Sequence, residues 1–107
     1  MTQTYLNLSP QQANVGWLPN TLLVDVREDY EYASGHLPKA VNLPLSRFAE
    51  EGRKLPKDRP ILLVCASGGR SAQAAEYLLS LGFDPARVGN LEGGTFGWMM
   101  AGFEVEA

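Results

Sequence analysis

The chain has 107 residues, 45% hydrophobic and 20% charged, with a formal net charge of −3. That length suffices for one core without disulfide or metal staples, so residues 1–107 are read as a single domain. The nine Lys and Arg are scattered and no apolar run nears the roughly 20 residues of a membrane span, so neither nucleic acid nor membrane is an expected partner.

One Cys and one His exclude an internal disulfide and cannot alone assemble a four-ligand zinc site. No metal site is therefore expected. The opening MTQTYLNLSPQQ lacks the basic and apolar blocks of a signal peptide, which makes a cytoplasmic setting the expectation.

Taken in chain order, TYLNL (4–8) reads as an edge strand. Ser9 and Pro10 suit the N-cap and first turn of a helix running to about Leu18. TLLVDV (21–26) is a second strand, and Asp29 is placed to cap a short helix ending near Gly35. AVNLP (40–44) is a third strand, followed by a helix that Ser46 would cap and that ends near Gly52. ILLVC (61–65) is a fourth. Like 21–26 it lacks polar alternation, the pattern of a parallel strand covered on both faces.

The strongest helical periodicity runs from Arg70 to Leu81, with Ala74, Ala75, Leu78 and Leu79 on one face. Gly82 suits its C-terminal cap, with Pro85 beyond. RVGNL (87–91) reads as a last strand and Thr95 to Met100 as a last helix, with Trp98, Met99 and Met100 expected in the core. Strands alternating with helices predict an α/β sandwich around a mostly parallel central sheet. Ligands of such sheets bind beyond the carboxyl ends of the strands, and Cys65 lies at that edge.

The loop CASGGRS (65–71) joins the end of a buried strand to the start of a helix. Gly68 and Gly69 permit positive φ there, and successive N–H groups can converge into an anion-binding nest at the helix end. Such a nest, with Arg70, would lower the Cys65 pKa and turn the thiol into a nucleophile. Cys65 could instead be a small buried hydrophobe, and Gly68-Gly69 merely a turn. Arg70 either lines the pocket or supports it, for example by pairing with Asp25. His36, in SGHLPKA, is assigned to turn or packing duty rather than to a Cys-His pair. No G-x-x-x-x-G-K-[ST] or G-x-G-x-x-G motif is present.

Three stretches carry a family resemblance. LLVDVREDYEYASGHLPKAVNLPL (22–45) resembles the first signature of the rhodanese-like domain: apolar strand, Asp-x-Arg, short acidic helix, Gly-His and a strand ending in Asn-x-Pro. LLVCASGGRS (62–71) resembles its active-site loop, and LEGGTFGWMMAGFEVE (91–106) its closing segment. The resemblance implies a rhodanese-like three-layer sandwich, a central sheet of about five strands flanked by helices.

It also implies a sulfurtransferase that needs no cofactor. Cys65 would take the sulfane sulfur of thiosulfate or of a small or protein persulfide donor, and hold it as a persulfide. A thiophilic acceptor, cyanide in assays or a thiol in the cell, would then remove it. Ala66, Ser67, Gly68, Gly69, Arg70 and Ser71 would form the substrate cradle, while Asp25 and Arg27 would be structural. Ala66 and Ser67 depart from the two-domain thiosulfate enzymes of the family, which carry basic residues after the cysteine. Thiosulfate would thus meet backbone N–H groups, the helix end and Arg70 at most.

Two other classes stay open. A persulfide carrier or interaction module in sulfur trafficking would use the same Cys65. Phosphatases and arsenate reductases on this fold use Cys-x5-Arg, whereas Cys65 to Arg70 is Cys-x4-Arg, and Val64 stands where those phosphatases carry histidine. Glu92 is the candidate carboxylate for that chemistry.

Overall fold

The computed structural model describes residues 4–107. Five strands form one parallel sheet in the order β1-β5-β4-β2-β3. They are β1 (Leu6–Leu8), β2 (Leu22–Asp25), β3 (Val41–Asn42), β4 (Ile61–Val64) and β5 (Val88–Leu91). The helices are α1 (Pro10–Asn14), α2 (Asp29–Ala33), α3 (Leu45–Glu51), α4 (Gly69–Ser80) and α5 (Gly94–Met100). The fold is the α/β sandwich that the alternating pattern predicts.

The unbroken apolar character of β4 follows from its position. It lies between β2 and β5, with Leu63 beside Val24 and Leu62 beside Gly89. Strand side chains alternate between faces, so Ile61, Leu63 and Cys65 enter one core with Phe48 of α3 and Ala74, Ala75 and Leu78 of α4. Leu62 and Val64 enter the other, with Leu8, Leu91 and Trp98 of α5 and with Ala13 of α1 at its margin. Both faces are dry, which is why no polar residue appears in the strand.

Several element ends differ from the sequence expectation. Ser9 caps α1 as expected, its hydroxyl accepting the Gln12 N–H while the Gln12 side chain accepts the Ser9 N–H. The helix stops at Asn14, well short of Leu18, because Gly16 turns left-handed at φ +92°. Glu28, not Asp29, caps α2, and Pro44, not Ser46, precedes α3. Ser46 lies within α3 and its hydroxyl donates to Glu28 instead. At the end of α4, Gly82 adopts φ +90°, its N–H reaching the Leu79 carbonyl while the Phe83 N–H reaches that of Leu78. These are the paired bonds of a Schellman cap. Met99 and Met100, expected in the core, are exposed on the outer side of α5, whereas Trp98 is buried.

A buried ion pair secures the carboxyl edge of the sheet. Arg27 donates to both Asp25 carboxylate oxygens, at 2.9 to 3.2 Å, and to the Gly35 carbonyl at the end of α2. The Asn42 amide donates to the Asp25 and Arg27 carbonyls. The end of β2 is thereby tied to α2 and β3, the structural duty expected of Asp25 and Arg27. His36 stacks on Tyr32 with ring centroids 3.7 Å apart and exchanges backbone hydrogen bonds with Glu106. Among the described residues no helix is long and apolar enough to cross a membrane.

Candidate active site

Cys65 directly follows β4 and is buried, with its sulfur facing the turn that begins α4. The turn exists because Gly68 takes φ +113°, a conformation open to glycine and costly for other residues. Gly69, expected to share this freedom, has ordinary φ and simply starts the helix. One left-handed residue is enough to bring the Gly68 N–H to 3.0 Å from Cys65 Sγ. Ser71, buried in the first turn of α4, brings its Oγ to 3.3 Å from the same sulfur.

These donors set the state of the thiol. Burial alone would push the Cys65 pKa up. The Ser71 hydroxyl, together with the Ser71, Gly68 and Ser67 backbone N–H groups, outweighs burial, and the pKa is lowered. The sulfur therefore sits among groups that favour the thiolate, the nucleophilic form.

Ser71 is held in turn by Asn90, the only polar side chain in β5. Asn90 Oδ1 lies 2.5 Å from Ser71 Oγ, and its Nδ2 lies 3.3 Å from both the Gly68 carbonyl and Asn7 Oδ1. The one hydroxyl proton of Ser71 has three alternative acceptors, Asn90 Oδ1, the Gly68 carbonyl and the sulfur, and a charged sulfur is the strongest of them. On the other side, α5 clips the loop. The Thr95 N–H donates to the Cys65 carbonyl at 2.8 Å, and the Phe96 N–H to the Ala66 carbonyl at 3.1 Å. With those carbonyls engaged, the electropositive ends of the loop peptides face the sulfur side.

Arg70 is ion-paired, as its supporting alternative has it, but with a different acid. Its partner is Glu31 on α2, in a two-pronged pair at 2.7 and 2.9 Å, and not Asp25. The Arg70 hydrogen bond pulls Glu31 down to about 2, and Glu31 raises Arg70 further above its ordinary value. The guanidinium charge is thus matched by a carboxylate, and the lowered Cys65 pKa comes chiefly from Ser71 and the backbone, with the Arg70 charge a lesser influence. Ser67 and Gly69 are exposed on the loop, and Glu92 is exposed beyond β5.

Asn90, Thr95 and Glu31 went unnoticed in the sequence. Asn90 left a signal, since a polar residue inside a strand buried on both faces must find a partner. Glu31 left none: it lies 39 positions from Arg70, among other acids.

The rhodanese-like domain profile matches residues 9–101, most of the chain. The chain belongs to the rhodanese-like family. A protein of Allochromatium vinosum named as a sulfurtransferase is 40% identical over 88 residues, 82% of this chain and 80% of that one. The crystal structure of a rhodanese-related protein from Thermoplasma volcanium matches with TM-score 0.86 at 29% identity, covering 95% of this chain and 98% of its own. A rhodanese-like domain protein from Staphylococcus aureus matches with TM-score 0.79 at 31% identity, over 95% and 99% of the two chains. The five-stranded parallel sheet is thus that of a rhodanese-like fold, with relatives of similar length.

Proposed function

We propose that the protein moves sulfane sulfur through a persulfide on Cys65. The Cys65 thiolate attacks the outer sulfur of the donor, the donor S–S bond breaks, and the bonding pair leaves with sulfite or with the donor thiolate. The outer sulfur of the persulfide is then attacked by cyanide or a thiolate, and the Cys65 thiolate is released. The observation that carries this reading is the set of donors on Cys65 Sγ, from Gly68 N–H and Ser71 Oγ, which would serve thiolate and persulfide alike.

In this reading the donor is a persulfide more readily than thiosulfate. Arg70 is neutralised by Glu31, and Ala66 and Ser67 bring no charge, so the cradle offers a dianion backbone dipoles and no free cation. The four-residue spacing from Cys65 to Arg70, and an Arg70 already paired, argue against a phosphatase or arsenate reductase. A persulfide carrier would share the whole site and differ in accepting sulfur only from a protein.

Intact mass after incubation with thiosulfate, and separately with glutathione persulfide, tests the proposal. The expected result is a gain of one sulfur atom, removed by cyanide with release of thiocyanate, and absent from Cys65→Ser. Sulfur transfer retained by Cys65→Ser would overturn it. Loading only from a protein persulfide would select the carrier.

A further inference from the structure

The sheet has a second concavity, at the end away from Cys65. It encloses about 630 Å³ and is bordered by the residues that enter β2 and β4, Thr21, Leu22 and Arg59 among them. Small-molecule sites span roughly 300–1,000 Å³ and are mostly apolar with a few polar groups that fix orientation. Here the apolar wall is Trp17, Leu18, Leu22, Leu37, Leu62 and Trp98, which includes both tryptophans of the chain.

The charged lining has one sign. Lys39 and Arg59 both border the cavity and no Asp or Glu does, although acids outnumber bases in the chain by twelve to nine. Among the described residues neither side-chain cation forms an ion pair, although the Lys39 backbone N–H donates to the Glu106 carboxylate at 3.4 Å. Arg59 uses its Nε on the Asn20 carbonyl at 3.0 Å, which leaves the two terminal nitrogens without a protein acceptor among those residues. The walls are also conformationally costly. Among the described residues, Trp17, Asn20 and Lys39 are the non-glycine positions with positive φ, at 43°, 63° and 68°, and all three line this cavity. Left-handed backbone at side-chain-bearing residues is unfavourable and gathers at ligand clamps.

We propose that this cavity binds a small organic anion with an apolar body, a carboxylate or sulfonate head meeting Lys39 and Arg59 and the hydrocarbon lying against the partly exposed Trp17, Leu18 and Leu22. An apolar cleft alone would take any hydrophobic molecule. Two unpaired cations at its border favour the anion over its neutral and cationic analogues. The site shares no residue with the Cys65 loop.

Tryptophan emission reads the site directly, because both tryptophans line it. Octanoate is the probe, with octanol as the neutral analogue. The expected result is a saturable change with octanoate, at lower concentration than with octanol. The Lys39→Gln/Arg59→Gln double variant should weaken octanoate by roughly fivefold to tenfold and leave octanol unchanged, while Arg47→Gln changes neither. Added salt should weaken octanoate alone in the unaltered protein, a check that needs no variant. Cys65→Ser should bind octanoate normally. Absence of a saturable change, or equal binding of octanoate and octanol at every salt concentration, would overturn the proposal.

Discussion

At Cys65 the question is what favours charge on a buried sulfur. Its donors are uncharged: one hydroxyl and a few backbone N–H groups, with Asn90 holding the hydroxyl in place. Ser71→Ala removes the largest of the stabilising influences and leaves burial, which acts the other way. The pH midpoint for alkylation of Cys65 by iodoacetamide is expected to move upward, and the rate at neutral pH to fall severalfold. An unchanged pH profile would mean that the backbone donors suffice.

The Glu31–Arg70 pair makes a separate prediction. Glu31 falls from 4.5 to about 2 in the folded protein, so its contribution is present above about pH 4.5 and is lost as pH drops toward 2. Glu31→Gln should lower the melting temperature at neutral pH, with the gap to the unaltered protein closing across that acid window. At this scale the sequence disclosed the unusual residues, Cys65, Gly68 and Arg70, because each is rare or stands in a telling place. Their partners were hidden, since a hydrogen bond across the sheet leaves no local mark. Arg70 illustrates this: its charge was evident and its neutralisation was not.

Among the elements, α5 has the most direct hold on the loop. Its first residues turn left-handed at Gly93 and Gly94 and set two N–H groups on the Cys65 and Ala66 carbonyls. A Cβ at Gly94 would strike the Cys65 carbonyl oxygen and lie 2.6 Å from the Ala66 carbonyl carbon. Backbone cannot give way as a side-chain tip can. Gly94→Ala is therefore expected to cost about 2–5 kcal/mol, from left-handed strain plus overpacking. It should also displace the loop, so that sulfur loading falls even where the variant is folded. Urea denaturation and loading measured side by side would separate the two effects.

Element identity was largely legible, because β2 and β4 carry unbroken apolar runs and α4 carries a strong 3.6-residue period. Ends were less so. The cap of α2 shifted by one residue, since Glu28 and Asp29 stand side by side, while α3 starts two residues early, after Pro44, without a side-chain cap. Met99 and Met100 show a different limit: on a seven-residue helix, hydrophobicity alone does not say which side faces inward.

Over the whole molecule, one buried ion pair among the described residues ties down the edge that carries the site. Arg27→Ala would leave the Asp25 carboxylate buried, with its charge unmatched, and the Gly35 carbonyl without its donor. Removing one partner of such a pair costs about 3–5 kcal/mol, against total stabilities of about 5–15 kcal/mol. Arg27→Ala should thus be close to unfolding, and a urea midpoint unchanged from the parent would contradict this account. The α/β layering and parallel sheet could be anticipated from the alternation of elements. Strand order could not be read from alternation alone, because any strand may neighbour any other until side-chain packing selects one arrangement.

That order has a temporal side. The strand that appears last, β5, lies between β4 and the strand that appears first, with Asn90 beside Asn7 and Leu91 beside Leu8. A growing polypeptide emerging from the ribosome holds Cys65 long before it holds Asn90 and Thr95. Until those residues arrive, β1 has no strand to pair with, Ser71 lacks its Asn90 contact and the Cys65 carbonyl lacks the Thr95 N–H. The surroundings of Cys65 are thus completed only after β5 has been inserted.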